Sequence, residues 1–443
     1  MNGTISSAIR FDSRRGEELS RATSLEISAR QDALLREHIA YLAGNSPFYR
    51  SMFAETGVRP ETITCSADLV RLPFTCKSDL GSRYEDFLAV GQEEIVDICL
   101  TSGTTGKAVA MLQSSGDLER LSYNEEISFR AAGFSSADRV LLAVATDRCF
   151  MAGLAYFLGL TRIKAAVLRS GSGNAALTAE LIKNFHPSAL VGVPSLLLNV
   201  GERLRLEGIS PAELGIKRIV CIGEPVRGQD LGLSPLGNRL RELWQCRIFG
   251  TYASTEMATS FTDCTEGRGG HLIPELIVLE IVDEAGALVP AGTFGEVVAT
   301  PLGVTGMPLL RFKTGDIATL HVDPCSCGRN THRLGPIIGR KSQMLKCHGT
   351  TVYPPAIFTV LQEMREIRGY YIEVESEFAL SDRVRVVAGS ADPSLCTDFI
   401  AEKIAAAIRV KPEVVIVSPE EILRVTMKEG KRKPVTFFDN RTQ

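Results

Sequence analysis

The stretch LTSGTTGKAV, residues 100–109, concentrates small hydroxyl side chains, glycines and one lysine. None of the side chains from Thr101 to Lys107 is suited to filling a hydrophobic core. Glycine lets the backbone approach an anion closely, and backbone N–H groups and hydroxyls donate hydrogen bonds to phosphate oxygens. The apolar run EIVDICL leads directly into this stretch. The pattern therefore predicts a phosphate-binding loop after a strand, with Lys107 adding a positive charge.

This loop does not fit the Walker pattern. That pattern requires four residues between its glycines and a serine or threonine after its lysine. Here two residues separate Gly103 from Gly106, and Ala108 follows Lys107. An isolated loop of this composition is most often a surface turn, so the remaining motifs of the chain must decide between the two interpretations.

A second set of side chains has the types that bind a transition metal: Cys264, His271, Cys325 and Cys327. Three thiolates and one imidazole are typical of tetrahedral, structural zinc, which would staple the loops of the surrounding region rather than act as a catalyst. One residue between Cys325 and Cys327 is a tighter spacing than the usual two to four, so a turn with free thiols is the alternative. Rival ligands lie nearby in the sequence: His321, His332 and Cys347.

The composition limits the partners of these sites. A chain of 443 residues exceeds what one hydrophobic core usually supports, so two or more domains are expected. The hydrophobic fraction of 44% and the charged fraction of 23% are typical of globular proteins. A net charge of −3 gives no electrostatic case for nucleic acid or an anionic membrane, so the expected ligand is a small molecule.

The sequence also predicts the compartment. No stretch reaches the ~20 apolar residues that span a bilayer, and the start MNGTISSAIRFDSRRGEELSR lacks the apolar core of a signal peptide. The 11 cysteines are scattered and odd in number, which favours free thiols or a metal site over disulfides. We therefore expect a cytoplasmic protein.

The elements that must position these residues alternate between strand and helix. Short β-branched runs, RVLLAVA, KAAVLRS, SALVGV and IKRIVCIG, are separated by helical patterns such as TAELIKNF and PSLLLNVGERLRLEG. This alternation predicts an α/β fold with a mainly parallel sheet covered by helices. Turn-rich strand runs predict an antiparallel β-rich part over about 272–335. We expect an N-terminal domain over 1–341 and a small α+β domain over 342–443.

Together with TSGTTGK, four further segments carry a resemblance: GTYASTE (250–256), LLRFKTGD (309–316), IIGRKSQMLKCHGTTVYPPAI (337–357) and EGKRKPVTFFDNR (429–441). In this order they resemble the motifs of the adenylate-forming ligases, which include acyl–coenzyme A synthetases, adenylation domains and luciferases. CSCGRNTHRLGPIIGR, IGEP and the FFDNR ending are similar to the phenylacetate–coenzyme A ligase branch. That branch activates mostly aromatic carboxylic acids.

The resemblance implies a reaction with ATP, Mg²⁺ and coenzyme A. A carboxylic acid, aromatic by the branch, would form an acyl-adenylate with release of pyrophosphate, and the acyl group would pass to the thiol of coenzyme A. One alternative passes the acyl group to an amine or a carrier protein. A remote alternative is a non-catalytic nucleotide-binding protein, against which the intact Glu256, Asp316 and Lys431 argue. A homodimer is left open.

The resemblance also assigns roles around the nucleotide. The phosphate cradle would comprise Thr101, Ser102, Gly103, Thr104, Thr105, Gly106 and Lys107. Thr255 would hydrogen-bond the α-phosphate, and Glu256 would bind Mg²⁺, a hard ion that prefers carboxylate oxygen. Tyr252 would stack on adenine. The other side of the base would be lined by Gly223, Glu224 and Pro225.

Three further residues follow from the same resemblance. Asp316, acceptor-only when ionised, would bind the ribose hydroxyls, and Arg340 would contact the ribose or a phosphate. Lys431 would be the catalytic lysine of the adenylation step. The alternative is that the basic run around it, with Lys428, Arg432 and Lys433, is a solvated charge cluster.

The resemblance leaves the acid and its acceptor open. TDRCFMAGLAYFLGL, residues 146–160, corresponds to an aromatic wall of the acid pocket, which makes Phe150 and Met151 candidates with Gly153 making room; a buried core helix is the alternative. The family hinge usually carries two acidic residues after Gly-Arg-x, and here Ser342 and Gln343 stand there. A hinge needs only to absorb a backbone rotation, but the loss of charge leaves an acceptor other than coenzyme A open.

Overall fold

The computed structural model describes residues 11–101, 108–347, 350–378, 381–427 and 434–441. The chain divides into two compact units. One consists of Met1–Gly232 with Leu240–Pro336, and the other of Leu233–Arg239 with Ile337–Gln443. The long stretch of the second unit begins at Ile337. The domain boundary at residues 341–342 stays a prediction from the sequence.

The first unit begins with helices and continues as alternating helices and strands. Its helices, together with one that crosses the unit boundary, are α1 Ser13–Arg21, α2 Ser24–Asn45, α3 Pro47–Thr56, α4 Lys77–Arg83, α5 Ser115–Ala131, α6 Met151–Ile163, α7 Ala175–Phe185, α8 Pro194–Leu206 and α9 Pro235–Trp244. Its strands are β1 Ile95–Leu100, β2 Ala110–Ser114, β3 Arg139–Ala143, β4 Ala166–Arg169, β5 Ala189–Gly192, β6 Arg218–Ile222, β7 Arg247–Ser254, β8 Thr259–Thr262, β9 Gly270–His271, β10 Ile277–Val282, β11 Gly295–Pro301, β12 Phe312–Ala318, β13 Leu320–His321 and β14 Arg333–Leu334.

A six-stranded sheet in the order β4-β3-β5-β6-β7-β8 forms the centre of this unit. All neighbours pair in parallel except β7 and β8, which are antiparallel. The strand residues of β5 are all buried, as expected for a strand with helices on both faces. The arrangement confirms the predicted α/β class with a mainly parallel, helix-covered sheet.

Helices α5 and α6 pack closely beside this sheet. A Cβ atom at Gly159 of α6 would collide with Cβ of Glu125 on α5, so only glycine permits this approach. α5 begins at a capping box, in which the Ser114 hydroxyl accepts from the Asp117 backbone N–H and the Asp117 carboxylate accepts from the Ser114 N–H. The cap fixes where β2 ends and α5 starts.

Antiparallel pairs dominate the later part of the first unit. β10, β11 and β12 pair in that order, and β13, β14 and β9 form a separate three-stranded sheet. A buried ion pair connects β10 to the residue before β12: Arg311 donates two hydrogen bonds to Glu280, of 3.0 and 2.8 Å. Strand β9 at Gly270–His271 lies just outside the predicted range of about 272–335.

The second unit contains strands β15 Gly339–Arg340, β16 Leu345–Cys347, β17 Thr350–Val352, β18 Tyr370–Phe378, β19 Ser381–Gly389, β20 Glu413–Val417 and β21 Phe437–Asp439, with helices α10 Pro354–Glu363, α11 Thr397–Ile408 and α12 Pro419–Thr426. β20, β19, β18 and β21 form a mixed sheet in that order, in which only β18 and β19 are antiparallel. Its core includes Leu361, Ile372, Val386 and Ile400. This is the α+β architecture expected there.

Among the described residues, every helix is too short or too polar to cross a membrane.

Candidate active site

Two strands hold the ends of the predicted phosphate loop. β1 and β2 are antiparallel, with Leu100 opposite Ala110. Beyond this pair, the Thr101 N–H donates to the Val109 carbonyl, and the Val109 N–H donates to Thr101 Oγ1, both at 3.0 Å. Thr101 is buried, so its hydroxyl serves the backbone of the opposite flank. The rest of the predicted cradle lies outside the described residues: Ser102, Gly103, Thr104, Thr105, Gly106 and Lys107.

Thr255 and Glu256 lie in the turn between β7 and β8. Both are half-buried, and the fully buried Met257 anchors the turn to the core. Glu256 Oε1 lies 3.2 Å from Nζ of Lys77, the first residue of α4. This lysine neutralises the carboxylate that is predicted to bind Mg²⁺. A magnesium ion held by Glu256 and by phosphate oxygens, a ligand set that suits Mg²⁺, would therefore compete with Lys77.

Arg120 of α5 fixes the other end of the same turn. Its buried guanidinium donates to the Ala258 carbonyl and, at 3.0 Å, to Thr259 Oγ1. It also donates to the carbonyls of Leu276 and Leu302, at 2.6 and 2.7 Å. Its charge therefore ties three later chain segments together around the turn that carries Thr255 and Glu256.

Tyr252 and Asp316 are in direct contact. The Tyr252 hydroxyl donates to Asp316 Oδ2 at 2.7 Å, and the Tyr252 ring stacks on Phe261 with centroids 6.0 Å apart. Asp316 is 5% exposed. A hydrogen bond from tyrosine leaves the carboxylate with further lone pairs for a diol. The residues predicted to hold adenine and ribose thus lie next to each other.

A β-bulge gives Asp316 its position. β11 and β12 lose their regular register between Glu296 and Val298, and the Thr314 hydroxyl donates to the Val297 carbonyl at 2.9 Å in the interruption. Gly315 has φ of +77°, a conformation that favours glycine. Bulges re-aim the side chains that follow them, and the Thr-Gly-Asp motif is therefore a structural requirement for the orientation of Asp316.

The segment Gly223, Glu224 and Pro225 follows the carboxyl end of β6. Ile222 of β6 is opposite Thr251 of β7, which brings this segment beside Tyr252 at the same edge of the parallel sheet. Glu224 accepts from the N–H and the hydroxyl of Ser195, at 3.1 and 2.9 Å, and so caps the first turn of α8. Glu224 has a structural role at this edge besides the predicted one.

A small cavity adjoins Thr255 and Glu256. Its volume is about 20 Å³, enough for roughly one water molecule. Three flexible methionines line it, Met111, Met151 and Met307, together with Gln113. The Oε1 atom of Gln113 is buried and has no hydrogen-bond partner among the described residues.

The three predicted acid-pocket residues separate in the structure. Met151 lines the cavity, whereas Phe150 packs against the core cluster around the central sheet. Gly153 is required by packing, because a Cβ atom there would collide with the Ala145 carbonyl. The space beside Gly153 is therefore occupied by the backbone of Ala145.

Arg340 and the segment of Lys431 belong to the second unit. Arg340 forms part of β15 and is half-buried. Lys431 lies outside the described residues, but the FFD strand that follows it pairs in parallel with β18, with Phe437 opposite Ile372. Arg441 then donates to the Met344 carbonyl at 2.9 Å and pairs with Asp382 at 3.1 Å. The end of the segment carrying Lys431 is thus fixed within its unit.

Residues 48–306 match the family described as AMP-binding enzyme. The chain belongs to this family. It is 33% identical over 374 residues to phenylacetate–coenzyme A ligase of Thermus thermophilus, covering 82% of each chain, and 30% identical over 342 residues to phenylacetate–coenzyme A ligase of Pseudomonas putida, covering 76% of each. These relatives place it on the phenylacetate–coenzyme A ligase-like branch of the adenylate-forming superfamily.

A solved structure shows the same fold. A 2-hydroxyisobutyryl-CoA ligase, determined in the postadenylation state with an adenylate, matches 96% of this chain and 92% of its own with a TM-score of 0.85 and 21% identity. The family model and the two relatives, which are coenzyme A ligases, show that the chain is an AMP-forming acid–thiol ligase.

Three residues next to the Thr255–Glu256 turn were missed by the sequence analysis. Gln113 is the one whose position carried a signal, since it is a polar residue that directly follows the apolar residues of β2 and precedes Ser114. Lys77 and Arg120 are ordinary helix residues in the sequence, and no spacing indicates that they reach the turn after β7.

The predicted cysteine–histidine set is brought together in the first unit. One ligand atom from each of Cys264, His271, Cys325 and Cys327 lies within 4.8 Å of the others. Burial raises the pKa of Cys264 to about 12, and burial followed by Arg329 and Arg333 lowers the pKa of His271 to about 3. Two of the rival ligands have other surroundings: His321 hydrogen-bonds Thr319, and Cys347 lies in the core of the second unit. The third, His332, follows Thr331 in the chain and is not in the group of four.

Proposed function

We propose that this ligase activates an aromatic carboxylic acid with ATP and transfers the acyl group to coenzyme A. The observation that carries the proposal is the contact between Tyr252 and Asp316 beside the Glu256 turn. The Tyr252 ring, the Asp316 carboxylate of β12 and the Glu256 carboxylate lie close to the turn after β7, and the proposal assigns them to adenine, ribose and Mg²⁺ respectively. An adenosine with its phosphates needs these three groups together.

In the first half-reaction, a carboxylate oxygen attacks the α-phosphorus of ATP. The bond from that phosphorus to the bridging oxygen breaks, and pyrophosphate leaves with the bond's electron pair. Negative charge builds on the transferring phosphoryl group. The proposal assigns its stabilisation to Thr255, to Mg²⁺ on Glu256 and to Lys431, while the 101–107 segment holds the phosphates that leave.

In the second half-reaction, the thiol of coenzyme A attacks the carbonyl carbon of the acyl-adenylate. The bond from that carbon to the phosphate oxygen breaks, AMP leaves with the electron pair, and the thiol proton passes to solvent. The product is an aryl-CoA thioester. The two relatives named as coenzyme A ligases support this acceptor over an amine or a carrier protein.

The cavity beside Thr255 supports an apolar acid. Three methionines line it, and thioether chains yield readily to an incoming ring. Because its volume of about 20 Å³ is far below the size of an aromatic acid, the acid must displace these side chains on binding. The names of the relatives support an arylacetate or a close analogue as the acid.

The proposal places the enzyme in the cytoplasm, with small molecules as its partners. All 11 cysteines are free, which suits a reducing compartment. Zinc is not a reactant in either half-reaction.

A pyrophosphate-release screen tests the proposal. The enzyme is incubated with ATP, Mg²⁺ and each of a series of arylacetates, benzoates and aliphatic acids. Each incubation is run first without an acceptor and then with coenzyme A, with a simple amine or with a carrier protein. We expect acid-dependent pyrophosphate release that is fastest with aromatic acids and a thioester product only with coenzyme A. Amide formation in the absence of thioester would contradict the acceptor, and a preference for aliphatic acids would contradict the substrate class.

A further inference from the structure

Three separate segments of the first unit converge at the cysteine–histidine set. Cys264 follows β8, His271 belongs to β9, and Cys325 and Cys327 lie in the turn between β13 and β14. Cys264, His271 and Cys325 are 0%, 6% and 6% exposed. Residues so far apart in sequence do not meet by local turn geometry, so the fold itself brings them together.

The separations among these atoms match the edges of a metal tetrahedron. Zinc–sulfur and zinc–nitrogen bonds of about 2.3 and 2.0–2.1 Å imply tetrahedral edges of about 3.8 Å between two sulfurs and about 3.5 Å between sulfur and nitrogen. Cys264 Sγ lies 3.8 Å from Cys325 Sγ, and Cys327 Sγ lies 3.5 Å from His271 Nε2. The sulfur–sulfur distance is far too long for a disulfide bond, which measures about 2.05 Å.

The surroundings orient the ligand atoms. Nδ1 of His271 lies 2.8 Å from the Thr331 hydroxyl, which leaves Nε2 directed at the cysteines. Metal-bound histidines are usually fixed in this way through their other ring nitrogen. The Glu266 backbone N–H donates to Cys264 Sγ at 3.4 Å, and Arg329 donates to Cys327 Sγ at 3.6 Å. Donors aimed at sulfur stabilise the negative charge of thiolates.

We propose that Cys264, His271, Cys325 and Cys327 bind one structural Zn²⁺ ion. Four protein ligands complete a tetrahedron and leave no position for water or substrate, which is the pattern of structural zinc sites. Three thiolates and Zn²⁺ leave one net negative charge, which the guanidinium of Arg329 offsets. This site stands independently of the acid and the acceptor proposed for the enzyme.

The ion holds the turn that docks helix α1. The Cys327 carbonyl accepts from Arg21 at 3.0 Å, Arg329 pairs with Glu17 at 2.7 Å, and the Asn330 N–H donates to the Ser20 carbonyl at 2.8 Å. These contacts come from the ligand residue Cys327 and from residues two and three positions after it. Zinc therefore fixes α1 against the antiparallel part through one short turn.

Metal analysis tests the site. Untagged protein from zinc-supplemented growth, purified without chelators, is expected to hold about one zinc ion per chain. Cys325→Ser is expected to lose it, and Cys396→Ser, at an exposed cysteine outside the set, to keep it. Zinc far below one per chain in the parent, another metal in its place, or full zinc retention in Cys325→Ser would each overturn the proposal.

A second measurement uses the parent protein, so that it does not depend on the folding of a variant. Thiol titration of the native enzyme before and after chelation is expected to reveal three additional reactive cysteines, and zinc added back is expected to protect them again. Hydrogen exchange of the peptide covering α1 is expected to accelerate on metal removal, while exchange in α11 of the second unit stays unchanged. Equal thiol reactivity with and without chelator contradicts a zinc-bound set.

Discussion

At the scale of single residues, the site depends on charges that already have partners. Asp316 accepts from Tyr252, and Glu256 lies beside Lys77. In the proposed binding mode, the ribose would share Asp316 with the tyrosine, and Mg²⁺ at Glu256 would displace the lysine. Asp316 would only add contacts to the one it already has, whereas Glu256 would first have to lose its contact with Lys77.

Asp316→Asn is expected to weaken ATP binding. The amide keeps one acceptor oxygen for Tyr252 but presents donors where the ribose hydroxyls need acceptors. Loss of hydrogen bonds to a charged group costs about 1.5–3 kcal/mol, which corresponds to a roughly tenfold to hundredfold rise in the KM for ATP. Tyr252→Phe, which keeps the ring, is the control and is expected to show a smaller rise. An unchanged KM in Asp316→Asn would show that the carboxylate does not contact the nucleotide.

Lys77→Met is expected to strengthen magnesium binding at Glu256. Removing the competing ammonium leaves the carboxylate without its nearby cation, and an ion pair of this exposure is worth up to about 1 kcal/mol, or about fivefold in affinity. The measurement is the Mg²⁺ concentration for half-maximal pyrophosphate release. Glu256→Gln should lose the magnesium response altogether. A higher magnesium requirement in Lys77→Met would assign Lys77 to the substrates instead.

The limits of sequence reasoning are clear at this scale. Tyr252, Thr255 and Glu256 stand out in the sequence because their motif is a contiguous run. Cys264 and His271 stand out because their side chains have a metal-binding chemistry, and the structure brings them together. Lys77 could not be predicted, since its only relevant contact is 179 positions away in the chain and the sequence around it is that of an ordinary helix start. Ion pairs across a fold leave no local pattern.

At the scale of elements, the strand and helix alternation was predictable and the irregularities were not. The parallel strands follow from continuous apolar runs such as that of β5. The bulge at Gly315 arises from a mismatch between β11 and β12, and a mismatch is a property of two strands together. The motif containing Gly315 can be recognised in the sequence, but the backbone irregularity that orients Asp316 cannot be predicted from it.

The contact between α5 and α6 predicts a pH effect. Burial raises the pKa of Glu125 to about 8, against the usual 4.5. Between these values the folded chain holds a proton on Glu125 that the unfolded chain has lost. Stability from this group is therefore present at low pH and decreases by about 1.4 kcal/mol per pH unit as pH rises through that window.

Glu125→Gln removes this titration and keeps the acceptor for the Asn124 amide. Its melting temperature is expected to exceed that of the parent by a margin that grows from pH 5 to pH 8 and vanishes near pH 4.5. Thermal unfolding followed by circular dichroism across that range measures it. Glu126→Gln is the control, because Glu126 pairs with Arg130 and Arg162 and its loss should destabilise instead. Parallel pH curves for Glu125→Gln and parent would contradict a protonated Glu125.

At the scale of the whole molecule, the predicted catalytic groups belong to two units. Tyr252, Glu256 and Asp316 lie in the first, and Arg340 and Lys431 in the second. The family motifs predict a division of this kind, and the boundary at residues 341–342 stays a prediction. The size of the cavity beside Thr255 could not be predicted, because it depends on how methionines from β2, α6 and the segment before β12 pack.

Lys431→Ala is expected to abolish adenylate formation and leave thioester formation from preformed adenylate largely intact. The reason is that its charge is assigned to the α-phosphate, which no longer changes in the second half-reaction. Pyrophosphate release measures the first step, and product formation from synthetic acyl-adenylate and coenzyme A measures the second. Lys433→Ala should leave both steps near the parent level. Loss of both steps in Lys431→Ala, or of neither, would move the catalytic role to another lysine.

The buried guanidinium of Arg120 has a consequence for how the first unit assembles. Its acceptors at Ala258, Leu276 and Leu302 lie 138, 156 and 182 positions after Arg120 in the sequence. Contacts of such separation close long loops, whose entropy cost comes before any stabilisation, and we expect them to form late on the folding pathway. Substitution of Arg120 should therefore leave the folding rate nearly unchanged and mainly accelerate unfolding. The turn that carries Thr255 and Glu256 would thus be among the last parts to become ordered as the enzyme folds. The lifetime of the ordered turn would then depend on the unfolding rate, which the Arg120 side chain slows.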